Sequence, residues 1–367
     1  MRSSAYHLHS LGYYRDCVAA ELERDGAATP NAECRFVDIH IASSCLQKAL
    51  RRGEFAVALS AARLLLRRDP ERLWRRLCVC AFEDFGLCDL AVTARVVAVA
   101  GNRGFRLVQG EERVLCHLLH LLCAMPKDRR LDDLYALGAA VLSDSARLKE
   151  IAGAQPRIAP LVHQASRMIV SCERPVPRRA FRAVSSEACM RALARMAAGG
   201  LVDAGLFELC AKGVRLSRCL LPLLLPLALA ETEAMGGLGT PIPMPLPAVP
   251  RLGGVPAYAV DGFTRVGRTV LTRLLAQEQS LQDLLADVSA AQRLDALHHL
   301  LFVAEGCLCT PLISDTLAEA LKSEATACAG GLRREAVKAG VALIGQLSPA
   351  LHALRQHIIS HHEEDLP

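Results

Sequence analysis

The sequence predicts an all-α protein, a multi-helix bundle carrying further helices, and three observations support this class. Hydrophobic residues make up 52% of the chain and aromatic residues only 4%, so the apolar content is mostly Ala, Leu and Val, which suits helix packed on helix. Apolar residues recur every three or four positions, between residues that start and stop helices. Runs of alternating β-branched residues are scarce, which argues against a large sheet. With 367 residues the chain is long enough for two or three compact units. The expected division is a lead-in over 1–33, a helical bundle over 34–150, a helical extension over 151–235, a Pro/Gly-rich linker over 236–256 and a C-terminal helical region over 257–367.

The elements follow in order. Leu8, Leu11, Tyr14 and Val18 make one short amphipathic helix, and the residues from Asp25-Gly26 to Pro30-Asn31 read as a loop. A helix carrying Ile41, Cys45, Ala49 and Leu50 ends at Gly53, and Phe55, Leu59, Ala62 and Leu66 form the next apolar stripe. Asp69-Pro70 opens a third helix: Asp caps free N–H groups, and Pro fits the first turn without losing a bond. Its face is Leu73, Leu77, Cys80 and Ala81, and Gly86 stands where it should stop. Asp89 caps an almost wholly apolar helix to Ala100, central in the bundle. Residues Gly101 to Gly104 are a turn, Glu111-Glu112 start a helix to Met125, and Asp132-Asp133 start another.

Beyond Ala146, helices are expected over Leu161 to Cys172, Ser185 to Ala198 and Asp203 to Lys212. The apolar run LLPLLLPLALA is too short for a membrane span, which needs roughly twenty residues, so a buried helix is expected. Prolines at alternate positions in Gly236 to Pro256 forbid helix and favour extended chain, either a connector or a docking strand for a partner. Further helices follow over Ala257 to Ala276, Leu281 to Val288, Ala291 to Glu305, Ser314 to Cys328 and Gly331 to His361, with a frayed charged tail.

One stretch carries a family resemblance. Its residues are Ser44, Leu46-Gln47-Lys48-Ala49, Arg51, Gly53, Ala58-Leu59, Ala62-Arg63-Leu64, Asp69-Pro70, Arg75-Arg76-Leu77, Glu83-Asp84 and Gly86-Leu87, followed by LLHLLCAMPKDRRLDDLYAL with Pro126-Lys127 and Tyr135-Ala136. In order and spacing this resembles the clamp-loader-like C-terminal helical region of the MgsA/RarA (Werner-helicase-interacting) AAA+ ATPases, which act at stalled replication forks. The match covers roughly Phe36 to Leu142. Asp128 departs from the family, which has Ser at that place. The resemblance implies a homo-oligomer and structural roles for Lys48, Arg51, Gly53, Arg63, Glu83, Asp84, Gly86 and Lys127. No G-x-x-x-x-G-K-[ST] occurs, so this chain has no phosphate-cradling loop of the ATPase kind.

Net charge is +5, and only six of the 43 basic residues are Lys. An Arg-rich, Ala-rich chain is what a GC-rich genome encodes, so basicity alone is not taken as a sign of nucleic acid. Fifteen cysteines, most on apolar helical faces such as Cys78, Cys80, Cys116, Cys123, Cys210 and Cys219, read as buried free thiols. With no continuous apolar core in MRSSAYHLHS, the expected location is a reducing cytoplasm, with no membrane partner.

No catalytic residue, metal ligand or cofactor is expected. Cys116, His117, His120 and Cys123 share one helix without C-x-x-C or H-x-x-x-H spacing, and the Cys78 and Cys307 pairs are C-x-C. Adjacent helical residues point about a hundred degrees apart, so Glu83 and Asp84 should pair separately, with Arg75, Arg76 or backbone, rather than share one ligand. His298-His299 and His361-His362 read as surface residues. Arg51, Arg52, Arg67, Arg68, Arg75 and Arg76 recur near helix ends: on one face they would neutralise phosphates, otherwise they are solvated ends favoured by the helix dipole. The expected function is non-enzymatic assembly and partner contact in DNA replication, recombination or repair. The alternatives are direct DNA binding through the Arg clusters, or service as accessory subunit of a separate AAA+ ATPase.

Overall fold

The structure, a computed structural model, describes residues 8–25, 36, 38–175, 182–313, 315–328, 332 and 334–364. They are mostly helical. The first half holds α1 (Leu11–Asp25), α2 (Ile39–Arg52), α3 (Phe55–Arg68), α4 (Pro70–Cys80), a π-helical turn (Ala81–Phe85), α5 (Leu90–Ala100), α6 (Arg103–Gln109), α7 (Glu111–Ala124), α8 (Arg130–Ser143), α9 (Ala146–Ala154) and α10 (Ala159–Cys172). Then come α11 (Ser186–Ala198), α12 (Ala204–Ser217), α13 (Leu221–Ala234), α14 (Arg265–Gln277), α15 (Gln279–Leu284), α16 (Arg293–Glu305), α17 (Thr316–Cys328), α18 (Arg334–Gln346) and α19 (Ser348–Glu364).

The starts are set by side-chain caps. Asp38 accepts from the His40 and Ile41 N–H groups, Asp89 from Ala91 and Val92, Asp203 from Leu206, and Thr264 from Gly267. Each supplies an acceptor to donors that the helix itself leaves unused. Gly53 ends α2 at φ 67°, and its N–H closes the helix on Ala49 and Leu50 carbonyls.

Among the described residues there are also a 3₁₀ turn (Ala257–Ala259) and three small antiparallel pairs: β1 (Glu173–Pro175) with β2 (Arg182–Val184), β3 (Thr240–Pro241) with β6 (Leu312–Ile313), and β4 (Arg251–Leu252) with β5 (Val255–Pro256). The residues expected as a linker are thus free of helix from Gly239 to Pro256 but paired in part.

The described residues form two compact units. The first draws on Met1–Thr29, Trp74–Pro243 and Thr310–Ala325, the second on Pro30–Leu73, Met244–Cys309 and Thr326–Pro367. This differs from the division expected from the sequence. The bundle expected over 34–150 is shared out, with α2 and α3 in the second unit and α5 to α8 in the first. The lead-in helix α1 is part of the first core, with Val18 at 0% exposure. In that unit α5 packs on α1 and α12, and α8 packs on α10 and α13. A Cβ on Gly138 would stand 3.0 Å from Ile169 Cδ1 and 3.1 Å from Ser166 N, so glycine permits the close α8–α10 crossing. α13 is buried on nearly every side, which answers its Leu-rich composition, and Pro226 lies inside it at the loss of one backbone bond. In the second unit α2 packs on α3, α14 on α19 and α16, and α16 on α18.

Several elements depart from expectation. The turn at Gly101 to Gly104 leads into α6, because Asn102 caps the Phe105 N–H. α9 has no counterpart among the expected helices, and α12 runs on to Ser217. The single helix expected over Gly331 to His361 is two, α18 and α19, parted at Leu347 just before Pro349, which suits a helix start and not an interior. The tail expected to fray is helical to Glu364, and the side chains of His361 and His362 lie outside the described ones. Among the described residues no helix is long and apolar enough to cross a membrane.

Candidate functional site

The sequence-matched residues lie at buried charge clusters, described unit by unit. In the second unit Lys48, on the inner face of α2, is 6% exposed. Its Nζ donates to Asp261 Oδ2 at 2.5 Å and to the Tyr258 carbonyl at 2.5 Å. Burial presses the Lys48 amine below its ordinary value, and the Asp261 carboxylate opposes this. Burial pushes the Asp261 carboxyl up, but the charge and hydrogen bond of Lys48, together with His298 and the Phe263 N–H, hold it below its ordinary value.

About one helical turn on, Arg51 is 2% exposed with its guanidinium 5.2 Å from the centre of the Phe302 ring. Arg52 Nε donates to Glu54 at 2.6 Å and its Nη2 to the Pro247 carbonyl at 2.8 Å, while its guanidinium lies over the Tyr258 ring. The Tyr258 hydroxyl donates to Glu54. Arg355, completely buried, grips Glu305 with both terminal nitrogens at 2.6 and 2.9 Å and donates from Nε to the Val260 carbonyl.

In the first unit Glu83 and Asp84 lie in the π-helical turn. Both accept from the same Arg129 Nη1, at 3.2 and 2.5 Å. The expectation that neighbouring acids would not share a partner is therefore corrected. The wider turn brings the two carboxylates to one side, and Arg129 spans them while its other nitrogen holds Asp132. Gly86 follows, where a Cβ would stand 3.1 Å from Leu131 Cδ1. Lys127 Nζ donates to the Leu122, Cys123 and Met125 carbonyls at the end of α7 and lies 4.8 Å from the Phe85 ring centre. Arg130, 1% exposed, joins Asp128, Thr232 and Asp315, the last at 2.6 Å. Asp128, where the resemblance has Ser, is thus part of this cluster; burial raises its carboxyl although Arg130 pulls it down.

The six arginines expected as a phosphate face are not one set. Arg51 and Arg52 are buried and committed to partners inside the second unit, so their guanidinium groups are not offered to a phosphate. Arg67 and Arg68 are exposed at the last turn of α3, and Arg63 is half-buried on the same helix. Arg75 and Arg76 are half-buried on α4. His298 and His299 are not surface residues: each has a buried Nε2 without a hydrogen-bond partner among the described residues.

Of the cysteines, Cys78 and Cys210 are fully buried as expected, and burial pushes the Cys78 thiol up to about 12. Cys116, Cys123 and Cys219 are half-buried. Among the described residues no three His, Cys, Asp or Glu side chains are placed to hold a metal. A cavity of about 500 Å³ lies in the second unit between the start of α3 and the Leu246–Val249 segment, with Arg52, Glu54 and Tyr258 in its wall.

Asp261, Arg129, Arg130, Asp315, Glu305 and Arg355 escaped the sequence reading. Arg129 and Arg130 stand in a run of mixed charge from Lys127 to Asp133 that does not say which members are buried, and the partners of the other four lie 50 to 213 positions away. A charged residue on an otherwise apolar helical face, as Lys48 is, was the one available signal. Compared with known proteins, the chain matches no family model, no curated protein and no solved structure.

Proposed function

We propose that this protein acts by assembly and partner contact in DNA replication, recombination or repair, without chemistry of its own, as a homo-oligomer. The observation that carries the reading is on α6, where Leu107 and Val108 are 60% and 82% exposed. Two adjacent aliphatic side chains held in water on one short helix are what a contact surface offers. The link to DNA metabolism rests on the resemblance to the MgsA/RarA C-terminal region. The placement of the matched residues supports it, since Lys48, Arg51, Gly53, Asp84, Gly86 and Lys127 all serve the chain's own packing.

A second reading, direct DNA binding, is favoured by exposed Arg67 and Arg68 at the end of α3. A separate AAA+ ATPase as partner fits either reading. Light scattering on the eluting protein tests the first. Wild type should exceed the monomer mass, and Leu107→Glu with Val108→Glu should return it to monomer with its helical signal intact. A monomeric wild type would refute self-assembly. Anisotropy of labelled forked DNA over a range of salt separates the second: Arg67→Ala with Arg68→Ala should flatten its salt slope if these residues meet phosphates.

A further inference from the structure

Away from the charge clusters, α10 ends on Cys172, and α11 carries Cys189 one turn beyond its capping residue Ser185. The Ser185 N–H donates to the Cys172 carbonyl at 2.7 Å, and the Cys189 N–H donates to the Ser185 carbonyl at 3.0 Å. Pairing of Glu173 with Val184 closes the same corner from the strand side. These bonds bring the two cysteines to one corner, both as free thiols and both buried, at 1% and 0% exposure. A cavity of about 300 Å³ opens beside them, with Cys172, Ser171 and Ala192 in its wall and Arg167 and Arg195 at its edge. The two arginines are exposed.

We propose that Cys172 is a thiol–disulfide exchange site for an anionic low-molecular-weight disulfide of the glutathione class, with Cys189 as the resolving thiol. The cavity admits a small ligand, and Arg167 and Arg195 suit its carboxylates. The order of attack follows from the environments. Cys172 stands in the cavity wall and Cys189 does not, so Cys172 meets the disulfide first; the neighbouring Cys189 and the positive fields of Arg195 and Arg191 hold its thiol below the ordinary value, against burial and Glu173. Cys189, beside Cys172 and buried, is pushed the other way.

In the first step the Cys172 thiolate attacks one sulfur of the disulfide. A bond forms between Cys172 Sγ and that sulfur, the S–S bond breaks, and one thiolate leaves. In the second step Cys189 gives its proton to the medium and attacks Cys172 Sγ, expelling the second thiolate. The protein loses two electrons as its two thiols become one disulfide, and the small disulfide gains them as two thiols.

The test uses the reduced full-length protein and glutathione disulfide, with quenching by acid and N-ethylmaleimide and peptide mapping by mass spectrometry. Wild type should acquire a Cys172–Cys189 crosslink. Cys189→Ser should instead collect a glutathione adduct on Cys172, about tenfold or more faster than on half-buried Cys116 or Cys123. Cys172→Ser should leave Cys189 unmodified. Relative to their rates with free cysteine, glutathione disulfide should outpace neutral hydroxyethyl disulfide at Cys172, and Arg167→Ala with Arg195→Ala should erase that advantage.

Reaction at Cys116 and Cys123 while Cys172 and Cys189 stay reduced overturns the site. An adduct that persists on Cys172 in wild type overturns the resolving role. Equal relative rates for the two disulfides overturn the role of the arginines. Circular dichroism checks each variant's fold, and the wild-type map decides alone if a Ser variant does not fold.

Discussion

Lys48 Nζ and Asp261 Oδ2 lie 2.5 Å apart, with side chains 7% and 5% exposed. The contact ties the inner face of α2 to the residues just before α14, and the Tyr258 carbonyl takes a second Lys48 proton. A buried pair of this kind offsets its own desolvation only while both members are present.

Lys48→Met therefore leaves a carboxylate buried without its counter-charge. It should lower stability by about 3–5 kcal/mol, read from the urea midpoint. Adding Asp261→Leu should recover much of that loss, since an apolar pair needs no desolvation. A double variant as weak as the sum of the single ones would show that the pair contributes nothing beyond its separate members.

Gly53→Ala should cost about 1 kcal/mol, because φ is 67° at this helix end and a Cβ is strained there. Gly153→Ala, in the exposed last turn of α9, should act in the opposite direction, since alanine favours helix and no atom stands within 4 Å of the new Cβ. Thermal melts of the two variants would check the pair of signs.

His298 is held below the ordinary imidazole value by burial first; Lys48 and Arg268 add to the effect, and Asp261 and Asp295 oppose it. Its ring also meets Phe263 edge-on, with centroids 4.3 Å apart. On acidification the unfolded chain takes up the proton near pH 6.5, before the folded chain does, so stability falls as pH drops below that value. The loss continues until the folded histidine also protonates. His298→Gln should shrink the difference in urea midpoint between about pH 7.5 and about pH 5.5. Some pH dependence should remain, because burial also depresses His299 and His352.

The arginines should divide by burial and not by sequence pattern. Arg52→Ala removes a side chain bound to Glu54, to the Pro247 carbonyl and to the Tyr258 face, and should cost about 2–4 kcal/mol. Arg67→Ala and Arg68→Ala, on the exposed last turn of α3, should each stay within about 0.5 kcal/mol of wild type. Denaturation of the three variants under one set of conditions makes the comparison.

The sequence alone determined the helical class and most helix starts, because both are local. Spacing of three and four marks a buried stripe, and Asp89 and Asp203 each satisfy N–H groups within three positions of themselves. Gly53 as the end of α2 was legible for the same reason. Short or unusual elements were not: α6 and α9 are too brief for a periodic signal, and the π-helical turn that lets Glu83 and Asp84 share Arg129 has no sequence mark of its own.

Tertiary structure alone decided which residues belong to which unit and which charges are buried. Arg51 and Arg67 read alike in sequence, each opening an Arg pair at the end of a helix. Arg51 lies over Phe302 in a core while Arg67 stands in water. The difference comes from what packs against each helix end. Those partners lie far along the chain, where no local pattern records them.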